Sequence, residues 1–445
     1  MKRIFIAGAG LSSSSLIRYL LEKSETYEWN IVVGDLDLTQ AEKKINGHKN
    51  GSAVYFDVQN AIYRDRIVSE SDLVISLLPV NLHKFIVESC IKSGTDLLTA
   101  SYASNEINSL NALFLEKGMS VIYECGLDPG LDHMSAMKII DGIKRRSATL
   151  ISFKSSTGGL VAPEFDNNPW NYKFTWNPRN VVLAGKDGAQ YLEKGQIKNI
   201  PYQQLFKQAE QILVEGEKFE TYANRDSLRY QSIYSIENAE TVYRGTIRKS
   251  GFCRSWDHLV QLGLTDESPI THRPDVFTYR QLMDSVLYQD PYKSTESKVA
   301  EQLSLDENSQ EMKKLEWLDL FSQKLIPTDI TSRADALLYI LKEKWKLMPD
   351  ETDMIVMQHE FIYQTKDNEL QKTTSTLVYK GQDTIHTAMS QTVGLPLGIT
   401  ARLLMTGKIK KKGLLLPVSQ DIYQQVLDEL KEFGIEFVEK EEKIR

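Results

Sequence analysis

The chain has 445 residues and a formal net charge of −7, too long for one hydrophobic core and too acidic to suggest a nucleic-acid partner, which would need clustered Lys and Arg. Hydrophobic residues at 41% and charged residues at 25% are ordinary globular usage, against a disordered or low-complexity protein. Cys90, Cys125 and Cys253 are widely spaced with no CxxC pair, which argues against a disulfide framework and a zinc or other metal site and points to a reducing, cytoplasmic compartment.

The opening run, MKRIFIAGAG, carries two basic residues before an apolar stretch. Glycine interrupts it after about five residues, shorter than a secretory core and far shorter than a membrane span. It reads as a buried strand, with no membrane partner. Short apolar runs then recur, IFIAG, NIVVG, SAVYF, LVISLLP, DLLTA and MSVIY, with helical stretches between them, the pattern of a parallel sheet with crossover helices. The first run ends in Gly8, Ala9, Gly10, Leu11, Ser12 and Ser13 and leads into a helix, SSLIRYLLEK. Glycines there let the backbone approach a pyrophosphate, whose charge the helix N-terminus meets, and Ser13 stands where a third glycine is usual. The second run ends at Gly34 and Asp35. A carboxylate there accepts the ribose hydroxyls of an adenosine and repels a 2′-phosphate. No Arg or Lys lies within residues 36–41, so the expected cofactor is NAD, with NADP the alternative and Asp35 the selecting residue. The competing reading makes Asp35 and Asp37 a turn and a helix cap. His83, after Pro79, reads as a helix-surface residue.

The fifth run ends at Ser101 and Tyr102. The sixth opens the loop Tyr123, Glu124, Cys125, Gly126, Leu127, Asp128, Pro129, Gly130. Ligands of open parallel sheets bind beyond the carboxyl ends of the strands, so both segments belong to the cleft rim. Asp128 equally suits the N-cap of a helix starting near Leu131. Next comes an aromatic and proline-dense stretch, NPWNYKFTWNP, suited to core packing or to a cleft lining. Residues 252–347 show helical periodicity, MIVMQHEFIYQ and STLVYK read as strands, and residues 384–407 form a long apolar helix or helix pair interrupted by His386, Gln391, Pro396 and Arg402. The basic run 408–412 reads as a solvated turn.

The strings GLDPGLDH, TGGLVAPE and NPWNYKFTWNPRNVVLAG, with NRDS, RGTIR and GF later, resemble motifs of the glutamate-forming saccharopine dehydrogenase family, over essentially the whole chain and in order. The resemblance implies oxidative cleavage of saccharopine by NAD(P) and water to L-glutamate and 2-aminoadipate 6-semialdehyde, or the reverse condensation, in lysine metabolism. It implies an α/β fold: a Rossmann NAD-binding domain (1–130 and 388–445), an α+β substrate and dimerisation domain (131–251 and 348–387) and a helical lid (252–347), with a homodimer. By resemblance, Ser101, Tyr102, Asp128, Arg225, Arg244 and Thr246 contact substrate, and Leu127, Asp128, Pro129 and Asn177 lie near the dinucleotide with Gly8, Gly10, Leu11, Ser12, Ser13 and Asp35. Asp128 and Tyr102 are the candidates for proton handling. Where fungal members carry Cys before the Gly158 and Gly159 pair, this chain has Thr157, so its chemistry needs no thiol. Two other readings compete. A carboxynorspermidine or homospermidine-type imine reductase would want carboxylates where Arg225 and Arg244 stand. A non-catalytic NAD-sensing protein would not need the substrate motifs.

Overall fold

The computed structural model describes residues 1–270 and 273–444; Thr271, His272 and Arg445, which fall in the expected ranges 252–347 and 388–445, lie outside the described residues. The chain divides into two compact units, residues 1–151, 232–238 and 357–445 forming the first and residues 152–231 and 239–356 the second.

The first unit is built on strands β1 (Lys2–Ala7), β2 (Trp29–Asp35), β3 (Gly51–Tyr55), β4 (Leu73–Ser76), β5 (Asp96–Thr99) and β6 (Ser120–Ile122). Helix α1 (Ser14–Tyr27) links β1 to β2, α2 (Leu38–Ile45) links β2 to β3, α3 (Ala61–Ser69) links β3 to β4, and α4 (His83–Ser93) links β4 to β5. The six strands, with Gly413–Leu415 added at one edge, form a parallel sheet in the order Gly413–Leu415, β6, β5, β4, β1, β2, β3. Ile4, Phe5 and Ile6 are fully buried, as a strand covered by helices on both faces must be, which is why these runs are continuously apolar and do not alternate. β1 pairs with β2 on one side and β4 on the other. Successive crossovers therefore leave β1 in opposite directions, opening a crevice at its carboxyl end.

The long apolar segment is one helix, Ala388–Met405, with Pro396 inside it. It packs on α1 through two small residues one turn apart. A Cβ built on Gly394 would stand 2.7 Å from the Leu16 nitrogen, and one on Gly398 would stand 2.6 Å from the Tyr19 ring. Side chains at either position would force the helices apart. Beside this contact, the Tyr19 hydroxyl donates to Glu429 at 2.7 Å and accepts from Arg402 at 3.0 Å, and Arg402 also pairs with Glu429. The unit also holds Leu370–Lys380, antiparallel to Val438–Lys443.

In the second unit, Glu210–Val214, Glu217–Ala223 and Thr241–Lys249 run antiparallel in that order, and Thr241–Lys249 pairs in parallel with residues 152–157. The region read as helical carries Phe252–Gln261, Tyr279–Asp284, Thr295–Gln302, Gln310–Trp317 and Arg333–Lys344. Its core is aromatic: Trp170 meets Trp345 edge to face at 5.4 Å, and Phe252 stacks on Trp256 at 5.7 Å. Trp170 and Tyr172 are fully buried, so in the aromatic stretch these two residues pack the core and do not line a cleft. Among the described residues, no helix is long and apolar enough to cross a membrane and no His, Cys, Asp and Glu group could hold a metal ion.

Candidate functional site

The glycine turn at the end of β1 has the shape that phosphate binding asks for. Gly8 takes φ +107°, and a Cβ on it would press to 3.2 Å against the Leu77 carbonyl, so the position needs glycine both conformationally and sterically. Gly10 is extended and hands over to a 3-10 turn at Leu11–Ser13, after which α1 begins. The Ser13 amide bonds back to Gly10 O at 3.1 Å. A Cβ on Gly10 would meet nothing within 4 Å, which leaves the approach over this turn open. Nearby, Asp35 is half-buried at the end of β2, its Oδ2 accepting from the Ala9 amide at 2.6 Å and its Oδ1 from the Asp37 amide at 2.9 Å. Asp37, not Asp35, caps α2, accepting from Thr39 N at 3.0 Å. The turn-and-cap reading therefore holds for Asp37, while Asp35 is bound to the glycine turn itself.

Beyond the carboxyl ends of β5 and β6, the rim residues come together. The Tyr102 hydroxyl donates to Asp128 Oδ1 at 3.0 Å. Ser101 Oγ lies 2.9 Å from His83 Nε2. The loop carrying Asp128 is tightly folded: Gly126 N bonds Pro129 O at 2.9 Å, and a Cβ on Gly130, at φ +147°, would fall 2.2 Å from Gly126 N and O. Leu127 is buried and Asp128 half-buried. The helix Leu131–Arg145 has Gly130 as its N-cap, with no capping side chain. The Gly130 amide is met by Asp132 at 2.5 Å, and the Asp128 carboxylate turns instead to Tyr102.

In the second unit, Arg244 and Arg248 sit on one strand, Thr241–Lys249, and Arg225 on another, Arg225–Asp226. Residues alternate faces along Thr241–Lys249, so Arg244, Thr246 and Arg248 share a face. Arg244 is buried, its guanidinium 4.2 Å above the Tyr230 ring, and its amide bonds Ser227 Oγ at 2.9 Å. Arg225 is exposed, with φ +51°. Asn177 is exposed, and its side-chain oxygen caps Pro178–Val182 by accepting from Arg179 N at 3.1 Å.

Three residues that the sequence did not single out stand beside these groups. His83 is buried, not on the helix surface. Burial pushes its imidazole down to about 4, so it is neutral where it faces Ser101. Lys44, three residues past the stretch searched for cations, donates to Gly10 O and, at 2.8 Å, to Ser13 Oγ. Burial brings its ammonium down to about 8, against the pull of Asp35. Arg248 is buried over Tyr172 at 5.1 Å and Phe252 at 5.5 Å, and its Nε has no hydrogen-bond partner among the described residues. The signal that could have found Arg248 is its spacing of two and four from Thr246 and Arg244.

Comparison with known proteins gives the family of the chain. The saccharopine dehydrogenase NADP binding domain matches residues 4–122, and the saccharopine dehydrogenase C-terminal domain matches residues 126–435. The chain is 32% identical to the saccharopine dehydrogenase [NADP(+), L-glutamate-forming] of Schizosaccharomyces pombe, with 99% of each chain covered. It is 35% identical to the mitochondrial alpha-aminoadipic semialdehyde synthase of Mus musculus over 98% of this chain and 47% of that protein. Among solved structures, apo histidine-tagged saccharopine dehydrogenase (L-Glu forming) from Saccharomyces cerevisiae matches with a TM-score of 0.89 and 32% identity, covering 99% of this chain and 100% of that one.

Proposed function

We propose that this chain, which belongs to the saccharopine dehydrogenase family, cleaves saccharopine oxidatively with a nicotinamide dinucleotide and water, giving L-glutamate and 2-aminoadipate 6-semialdehyde, or runs the reverse condensation. The observation that carries this reading is the Tyr102 to Asp128 hydrogen bond at the carboxyl end of a parallel sheet whose first turn suits a pyrophosphate.

The residues present fit the dinucleotide: Gly8 is a position a Cβ would fill, and the turn Leu11–Ser13 leads directly into the positive end of α1. Gly8, Gly10, Leu11, Ser12 and Ser13 would hold the pyrophosphate, Asp35 the adenosine ribose, and Leu127, Asp128, Pro129 and Asn177 the nicotinamide half. When bound, the cofactor supplies the hydride acceptor. The bridging secondary amine of saccharopine must lose its proton before the adjacent carbon gives up hydride, so a base is needed. Asp128 takes that proton, directly or through a water it orients, while the Tyr102 hydroxyl fixes its Oδ1. The substrate imine that results is hydrated, and the same pair positions the attacking water and returns a proton to the leaving amine. Saccharopine carries three carboxylates, which fixed guanidinium groups meet in bidentate geometry. Arg225 and Arg244 fill that role, with Thr246 and Ser101 as hydroxyl donors, and Arg248 adds a third cation on the face of Arg244.

For the cofactor we read NAD. The Asp35 carboxylate is anchored at the glycine turn by two backbone amides and would repel a 2′-phosphate. The matched N-terminal family model and the names of the full-length relatives carry NADP, which favours NADP, and Lys44 supplies a cation beside the same turn, so the reading of NAD rests on Asp35 alone. The test is to mix the purified protein with saccharopine and either cofactor and follow reduced cofactor. Formation with NAD at the higher kcat/KM supports both readings. No reduction with either refutes the substrate, and a strong preference for NADP refutes only the role given to Asp35.

A further inference from the structure

Behind the Tyr102 to Asp128 pair lies a polar chain that the proposed mechanism does not use. Glu124, the second residue after β6, is fully buried and has φ +57°. Its Oε1 accepts from the Ala103 amide at 3.0 Å, and its own amide donates to Ser101 O at 3.0 Å. These two bonds bracket Tyr102 from both sides. Its Oε2 lies 2.8 Å from Nε2 of His133, itself fully buried, and His133 Nδ1 lies 2.9 Å from the Tyr234 hydroxyl. The Tyr234 ring meets the imidazole edge to face at 5.6 Å.

The directions of these bonds follow from the chemistry of the groups. An ionised carboxylate only accepts, so His133 Nε2 carries the hydrogen toward Glu124. Nδ1 faces the Tyr234 hydroxyl, so the polar chain runs from Tyr234 through His133 to Glu124. A carboxylate withdrawn from water is retained only where its acceptor sites are filled. His133 and Ala103 fill one site on each oxygen. Each oxygen is thereby fixed in direction, and so is the 101–103 turn. Glu124 lies four residues before Asp128 on the same loop, so its bond to the Ala103 amide ties the turn that carries Tyr102 to the loop that carries Asp128.

We propose that Glu124 is a positioning residue for the reaction: held by His133 and Tyr234, it sets the Tyr102 hydroxyl against Asp128. This rests on the proposed roles of Tyr102 and Asp128, but the geometric part does not depend on the identity of the substrate. The Glu124→Gln substitution keeps an acceptor for Ala103 and replaces the acceptor facing His133 with a donor. Tyr234→Phe removes a single hydroxyl at the far end of the chain and spares the fold if Glu124→Gln does not.

With the purified full-length protein and saccharopine, Glu124→Gln is expected to lower kcat at least tenfold with the KM for the dinucleotide within twofold, and to displace the basic or acidic limb of the kcat pH profile. Tyr234→Phe is expected to give the same displacement with a three- to tenfold loss. A merely structural role would lower the melting temperature and leave the limbs in place. The second readout is a crystal structure of each variant. A Tyr102 to Asp128 separation opened beyond hydrogen-bonding distance supports the inference, and one that stays at 3.0 Å, with kcat and pH limbs unmoved, overturns it. Failure of the wild-type protein to turn over saccharopine refutes the substrate reading alone, since the separation is measured without it.

Discussion

Replacing Asp35 with Asn tests how the glycine turn chooses its dinucleotide. The Asn oxygen can still accept from the Ala9 amide, which Asp35 Oδ2 now meets at 2.6 Å, so the glycine turn keeps its acceptor, while the charge and the Oδ1 acceptor of the Asp37 amide are removed. A 2′-phosphate on the ribose held by Asp35 would lie within roughly 5 Å of the carboxylate, where two unit charges repel by about 0.8 kcal/mol in water and about 3 kcal/mol at an effective dielectric of 20. Asp35 is half-buried, which places the pair between those limits. The phosphate carries about −1.5 to −2 near neutral pH. A net penalty of about 1.5–3 kcal/mol follows, a preference for NAD of about ten- to a hundredfold. The assay is kcat/KM for each cofactor at saturating saccharopine, in wild type and D35N, at two ionic strengths. D35N should shift the ratio toward NADP by that factor, with a smaller shift at high salt. A ratio that moves less than twofold, or a wild type that already favours NADP, would refute the reasoning.

Asp128→Asn should lower kcat by about a hundredfold or more, the usual worth of a positioned base, with the KM for the dinucleotide nearly unchanged; equal losses in both would make Asp128 scaffolding. Arg244→Met should raise the KM for saccharopine by at least about tenfold without altering dinucleotide affinity by titration, and Arg244→Lys should not restore it, because lysine lacks the fork that grips a carboxylate. Lys44 gives a pH signature. Its ammonium, brought down to about 8 in the free protein, gains a proton affinity when a phosphate docks beside it. Its contribution to binding is therefore complete below about pH 8 and lost as pH rises above it. Calorimetric titration should show dinucleotide affinity falling above pH 8 in wild type and flat in Lys44→Met; parallel curves would remove Lys44 from the phosphate site.

Much of the fold was legible because its local signals agree. The apolar run, the two glycines and the helix after Ser13 each ask for the same strand, turn and helix, and Asp35 falls where the second strand ends. The residues that escaped did so because burial is not a local property. His83 has the sequence context of a surface helix, yet it is covered where it meets Ser101. Asp128 suited a cap as well as an active-site rim until Gly130 took the N-cap position. Arg248 was passed over because an arginine near a strand end usually reaches solvent, while here Tyr172 and Phe252 enclose it. Gly413–Leu415 is too short to announce itself as a strand, and only its pairing with β6 makes it one.

The placement of that last strand bears on how the protein is made. The dinucleotide-binding sheet begins with residue 2 and is not finished until residue 415, and the helix sealing α1 comes from residues 388–405. During synthesis on the ribosome, the N-terminal strands therefore emerge long before the segments that cover them. Until residues 388–405 have been made, the flank of α1 that Gly394 and Gly398 will occupy stays bare, and a chain released before that point would present it to chaperones and proteases.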